Sequence, residues 1–167
     1  MTTHQVSFET ALGRCGIRWS ERGITAVLLP GSRDLPPTHA DDVAGLPPFV
    51  LRAIAGMTAV LEGADDDLRD IPIDHRDADA FRVAVYTATR AIAPGSTRSY
   101  GEIATAMGLG RAGGARDVGA ALARNPTPII VPCHRVVAAS GALHGFSAPG
   151  GLETKRRMLQ LEGAPGY

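Results

Sequence analysis

The chain has 167 residues, 44% of them hydrophobic and 20% charged, with Lys plus Arg balancing Asp plus Glu at 17 each. That composition excludes an intrinsically disordered chain, and the length suffices for one good core or two small ones. No stretch reaches transmembrane length and the first ten residues lack the basic-then-apolar order of a secretory signal, so a cytoplasmic protein with no membrane association is expected.

Taken in chain order, residues 6–16 and 17–29 alternate as strands, with Ser20-Glu21-Arg22-Gly23 as a hairpin turn. Residues 31–48, rich in proline, glycine and aspartate, read as a loop. Beyond it Phe49, Ile54, Met57, Val60 and Leu61 recur at helical spacing and would cover the sheet. The acidic run 64–70 reads as a solvated loop, and neighbouring histidines such as His75 lack a ligand spacing, so no metal is expected. From Asp79 the pattern turns helical: Phe81, Val85, Ala88 and Ile92 share a face and Pro94-Gly95 stops the segment. Ser99 and Glu102 form a capping box opening a helix through Met107, residues 108–114 are a turn, and 115–124 form the next helix. Two short helices around a glycine-containing turn suggest helix-turn-helix, although any packed helix pair gives the same pattern. The expected fold is α/β (α+β): a small N-terminal sheet-plus-helix domain, residues 1–78, followed by a helical C-terminal domain, residues 79–167.

The zero net charge conceals an asymmetry between these halves. Residues 1–80 hold 7 Arg/Lys against 13 Asp/Glu, whereas residues 81–167 hold 10 against 4. A phosphate-binding face is one reading of the basic excess; a solvated basic surface beside an acidic neighbour is the other.

The run Ile129-Ile130-Val131-Pro132-Cys133-His134-Arg135-Val136-Val137 carries the chemistry. Pro132 fixes its own φ and pushes Val131 to an extended conformation, so a rigid kink presents Cys133. The adjacent histidine and arginine place the thiol in a positive field favouring the thiolate. Side chains adjacent in sequence diverge, so His134 reaches the sulfur through water rather than directly. The alternative is a buried apolar cysteine with a chance histidine neighbour. With Cys15 the only other cysteine in an unsecreted chain, both are expected to be reduced.

Asn125-Pro126, the run 132–136, Ser99-Tyr100-Gly101-Glu102-Ile103-Ala104 and Arg116-Asp117-Val118-Gly119 together resemble the O6-alkylguanine-DNA alkyltransferases, or methylated-DNA–protein-cysteine methyltransferases. The resemblance is dense over residues 81–162 and loose in the N-terminal half. It implies single-turnover direct reversal: Cys133 takes the alkyl group of O6-alkylguanine in duplex DNA, with O4-alkylthymine left open, and keeps it as a thioether, needing no cofactor. His134 would take the thiol proton, Glu162 would steady the imidazolium, and Asn125 would tie the turn to the cysteine loop. The second helix would lie in the minor groove, where Ala115, Gly119 and Ala120 permit close approach. Arg116 would enter the base stack and Tyr100 would help rotate the nucleotide and bind the flipped base. Val136, Phe146 and Ser147 would line the substrate pocket, Arg135 would bridge elements, and the protein would act as a monomer.

Some positions depart from that pattern. Tyr86 stands where many relatives have tryptophan, Asp117 replaces a common alanine, Phe146 a usual tyrosine, His144 is unusual, and the 145–151 loop is longer. Some relatives hold a structural zinc in the N-terminal domain; the cysteines it requires are absent, so no zinc is expected. A cysteine hydrolase, a damage sensor without a nucleophile and a regulatory helix-turn-helix protein are the competing readings, and exchange of Cys133 separates them.

Overall fold

The structure is a computed structural model and describes residues 4–110, 112–143 and 148–167. It is mixed α/β. Strands β1 (Gln5–Thr10), β2 (Gly13–Ser20) and β3 (Gly23–Leu28) form an antiparallel meander. Where residues 6–16 read as one strand, the chain turns at Ala11-Leu12. There Thr10 Oγ1 donates to Gly13 O at 2.8 Å and accepts from Leu12 N at 3.1 Å. Gly13 takes the φ of +128° that this turn needs. Ala11 and Leu12 are both apolar, so composition did not mark the turn. Register pairs Val6 with Ile17 and Phe8 with Cys15, and all four are buried.

Helix α1 (Pro48–Val60) starts behind Pro47 with a proline at its first position, which loses nothing there because the first N–H groups of a helix have no intrahelical partner. It lays Val50, Ala53, Met57 and Val60 on the sheet. The acidic run does more than face solvent: Arg52 Nη1 reaches Asp66 at 2.8 Å and Arg52 Nε reaches Asp70 at 2.8 Å, clasping the loop to α1.

Helix α2 (Ala80–Arg90) is capped by Asp79, whose Oδ1 accepts from Arg82 N at 2.8 Å. It ends before Pro94-Gly95, and its buried face is Val85, Tyr86 and Thr89, while Phe81 is 36% exposed. The capping box of Ser99 and Glu102 opens α3 (Tyr100–Ala106), and α4 (Gly114–Ala123) packs against it. Gly114 is required by this packing, since a Cβ there would sit 2.3 Å from Leu109 O.

Tyr86 is fully buried and ties α2 to α4: its hydroxyl donates to Ala121 O at 2.9 Å and accepts from Arg82 Nε at 3.2 Å. Tyr86→Phe is expected to cost about 1 kcal/mol, read as a lower urea midpoint with unchanged slope.

Strands β4 (Arg98–Ser99) and β5 (Val136–Val137) form a two-residue parallel ladder, and α5 (Gly151–Leu161) closes the described fold. This short ladder joins the start of α3 to the segment just after Cys133. Residues 129–136 are held from two sides: Ile129 and Ile130 enter the core under the three-stranded sheet, and Val131 and Val136 enter the core among α2, α3 and α4. Among the described residues no helix is long and apolar enough to cross a membrane.

Candidate active site

Cys133 opens a single 3-10 turn, Cys133–Arg135, directly after Pro132. The turn is stiff. Cys133 N donates to Val131 O at 2.8 Å, Arg135 N donates to Pro132 O at 2.9 Å, and Val136 N donates to Cys133 O. Just upstream, buried Ile129 holds φ at +74°, a conformation costing a β-branched residue roughly 1–2 kcal/mol. Asn125 braces that bend: its Nδ2 donates to Val131 O at 2.9 Å and its Oδ1 accepts from Thr127 N at 3.0 Å.

Behind the cysteine, Glu162 at the end of α5 meets two partners, the His134 imidazole and the Arg135 guanidinium. Its Oε1 lies 2.8 Å from His134 Nε2 and accepts from Arg135 Nε at 3.0 Å, and its Oε2 accepts from Arg135 Nη2. Arg135 Nη1 donates to Ile92 O at 2.8 Å, so Arg135 joins three elements. The side chains of His134 and Glu162 are completely shielded from solvent and that of Arg135 nearly so. Burial alone would raise the Glu162 carboxyl, but His134 and Arg135 outweigh it and bring the pKa to about 2. An ionised carboxylate only accepts hydrogen bonds, so His134 Nε2 carries the proton. Burial also depresses the His134 pKa against the pull of Glu162, which leaves the imidazole neutral. Its lone pair is on Nδ1, which makes no hydrogen bond among the described residues. No direct bond to the adjacent sulfur forms.

The thiol does not rest in the positive field that the sequence suggested. Burial raises the Cys133 pKa, with Asn125 and then Lys155 acting in the opposite direction. Arg135, the expected source of positive charge, is spent on Glu162. Lys155 was not singled out by sequence reasoning, because Lys155-Arg156-Arg157 looks like a solvated basic run. It is 1% exposed: its Nζ donates to Val136 O at 2.8 Å and to Tyr100 Oη at 3.4 Å, and lies 5.7 Å from the Tyr100 ring centre. Burial brings its pKa down to about 8, with Cys133 pulling upward. The available signal was periodic: Lys155, Met158, Leu159 and Glu162 fall on one helical face, and all are buried.

Cys133 opens onto a cavity of about 310 Å³ that Tyr100 and Asn125 also line. Burial and the neighbouring Cys133 raise the Tyr100 pKa, so the phenol stays a donor. On its other side Tyr100 borders a shallow groove of about 620 Å³ shared with Ala115, Arg116, Gly119, Ala120 and Ala123. All five residues expected to meet DNA therefore lie along one groove. Val136 lies elsewhere: its side chain is buried in a core, its N–H is bonded to Cys133 O and its carbonyl to Lys155, so it does not line the cavity. Phe146, Ser147 and His144 lie outside the described residues. Among the described residues no three His, Cys, Asp or Glu side chains converge as a metal site.

The site of this mixed α/β chain is thus a half-buried thiol at the mouth of a cavity, followed in sequence by a buried imidazole held by Glu162. Residues 80–164 match the family model for the DNA binding domain of 6-O-methylguanine DNA methyltransferase. A methylated-DNA–protein-cysteine methyltransferase of Mycobacterium tuberculosis is 50% identical over 93 residues, 56% of this chain and 53% of that protein. This chain thus spans about half the length of that curated relative. A protein of the same name from Methanothermobacter thermautotrophicus is 32% identical over 151 residues, 89% of this chain and 78% of that protein. The crystal structure of Mycobacterium tuberculosis OGT in complex with DNA superposes with a TM-score of 0.76 at 32% identity, over 98% of this chain and 96% of that one. The chain belongs to the 6-O-methylguanine DNA methyltransferase family.

Proposed function

We propose that this protein repairs O6-alkylguanine in duplex DNA by moving the alkyl group irreversibly to its own Cys133. The observation that carries this reading is the buried His134 directly after Cys133, its Nε2 held by Glu162 so that Nδ1 is left as the open ring nitrogen among the described residues. The thiol proton passes through a solvent molecule to His134 Nδ1, and Glu162 stabilises the imidazolium. The sulfur attacks the alkyl carbon in line; the S–C bond forms and the C–O6 bond breaks. Guanine leaves with the electron pair and gains the proton that the thiol gave up. Lys155 offsets the thiolate charge, and the Tyr100 hydroxyl, already linked to Lys155, donates to the departing base.

Residues 1–78 serve as the structural domain and 79–167 as the DNA-binding and transferring domain, with α3 and α4 as its helix-turn-helix. The small side chains of Ala115, Gly119 and Ala120 suit a minor groove, and exposed Arg116 suits the gap a flipped base leaves. The protein acts as a monomer in the cytoplasm; both cysteines are free, which agrees with a reducing compartment.

Intact-mass spectrometry after incubation with duplex DNA carrying one O6-methylguanine tests the reading. The unaltered protein is expected to gain one methyl per chain and Cys133→Ala none. DNA binding without methyl gain would replace the repair reading with a damage sensor.

A further inference from the structure

The cavity in front of Cys133 is not enclosed by the C-terminal half alone. One wall is the end of β3, residues 26–28, together with Leu29 and Ser32 in the turn that follows. The sheet edge makes this possible: β3 pairs with β2 on one side, its start bridges Ile24 to Ile73, and nearer its end Val27 N donates to Pro126 O at 2.9 Å, docking the Asn125 brace on the strand. The turn after β3 is closed by Ser32 N donating to Leu29 O at 3.2 Å. Gly31, at φ +90°, faces Pro149 so closely that a Cβ would lie 3.2 Å from the proline ring. Pro149 also lines the cavity, so the N-terminal turn and the segment before α5 meet at its border.

This wall has a different chemistry from the part near Tyr100 and Asn125. Apart from the Ser32 hydroxyl, Ala26, Leu28, Leu29, Pro128 and Pro149 offer only hydrocarbon or backbone. A purine presents polar edges; what an O6-alkylated base adds is apolar. We propose that the β3 end and the Leu29–Ser32 turn form a subsite for the part of the alkyl group beyond its reacting carbon, so that the N-terminal half selects which O6-alkyl groups reach Cys133. This rests on Cys133 being the alkyl acceptor, with the same bond made and the same bond broken whatever the group. A cavity of about 310 Å³ lies at the lower end of the roughly 300–1,000 Å³ typical of small-molecule sites, so a single bulky side chain on its wall takes up a meaningful share of it.

The test compares rates of Cys133 alkylation, read by intact mass, on duplex DNA containing O6-methylguanine or O6-benzylguanine. Ser32→Trp is expected to slow benzyl transfer about tenfold or more relative to methyl transfer, the scale on which apolar pockets discriminate by size. Leu28→Ala, which widens the same wall, is expected to shift the benzyl-to-methyl ratio the other way, and it keeps the idea falsifiable if Ser32→Trp does not fold. An unchanged ratio in the folded variants, or equal slowing on both substrates, overturns the subsite while leaving the transfer reading intact. An unaltered protein that accepts neither group overturns the transfer reading itself, and the subsite with it.

Discussion

Glu162→Ala is expected to cost the fold about 3–5 kcal/mol, the usual penalty for removing one partner of a buried ion pair. Arg135, 1% exposed, would keep its bond to Ile92 O but lose its counter-charge, and His134 would lose the acceptor that fixes its tautomer. Urea denaturation measures this. Methyl transfer should fall as well, because Nδ1 is a dependable base only while Nε2–H is held. The pH dependence of stability provides a second check. The Glu162 pKa of about 2 lies below its ordinary 4.5, so the contribution is fully present above pH 4.5 and is lost as the pH falls toward 2. The shift corresponds to about 3 kcal/mol. Glu162→Gln should flatten that part of the acid limb. If it left both the midpoint and the acid limb unchanged, the buried triad would not contribute to stability.

Lys155→Met is expected to slow methyl transfer about a hundredfold at neutral pH, the size of effect seen when a preorganised charge is removed from a reacting centre. The cause is specific: burial raises the Cys133 thiol pKa, and without Lys155 the one positive charge opposing it is gone, leaving the Asn125 side chain and two backbone N–H groups, so the thiolate becomes rarer. The deficit should therefore narrow as the pH rises and bulk base supplies the thiolate. A deficit that is the same at every pH would mean that Lys155 is needed for packing alone. Stability gives an independent readout. Because the folded pKa of about 8 lies below the ordinary 10.5, the unfolded chain binds more protons between those values. Stability from this group rises with pH across that window, and Lys155→Met should abolish the rise.

Local signals were legible wherever one stretch of backbone decides its own geometry. The capping box of Ser99 and Glu102, the Asp79-initiated helix, the Ser20–Gly23 turn and the Pro132 kink before Cys133 each depend on residues within four positions of one another. Motif residues could also be named in advance, and Cys133, His134, Asn125 and Glu162 do gather, although Glu162 is 28 residues from His134. Their electrical state was not legible. Whether Arg135 raises or lowers the field at the sulfur depends on which carboxylate it meets, and it meets Glu162 rather than facing the thiol.

By itself, then, the order of residues determined the mixed α/β class, the helix starts and the family motifs, because these are short-range or compositional properties. Only the tertiary structure decided that Lys155 leaves its basic run to sit buried under Tyr100, that Val136 spends both its backbone groups away from the cavity, and that β3 forms a wall in front of Cys133. The reason is physical: desolvation and through-space charge depend on what the fold brings together, and Ala26, Val27, Leu28, Leu29 and Ser32 share a cavity with Cys133 because the edge of β3 accepts the Asn125 brace at Val27.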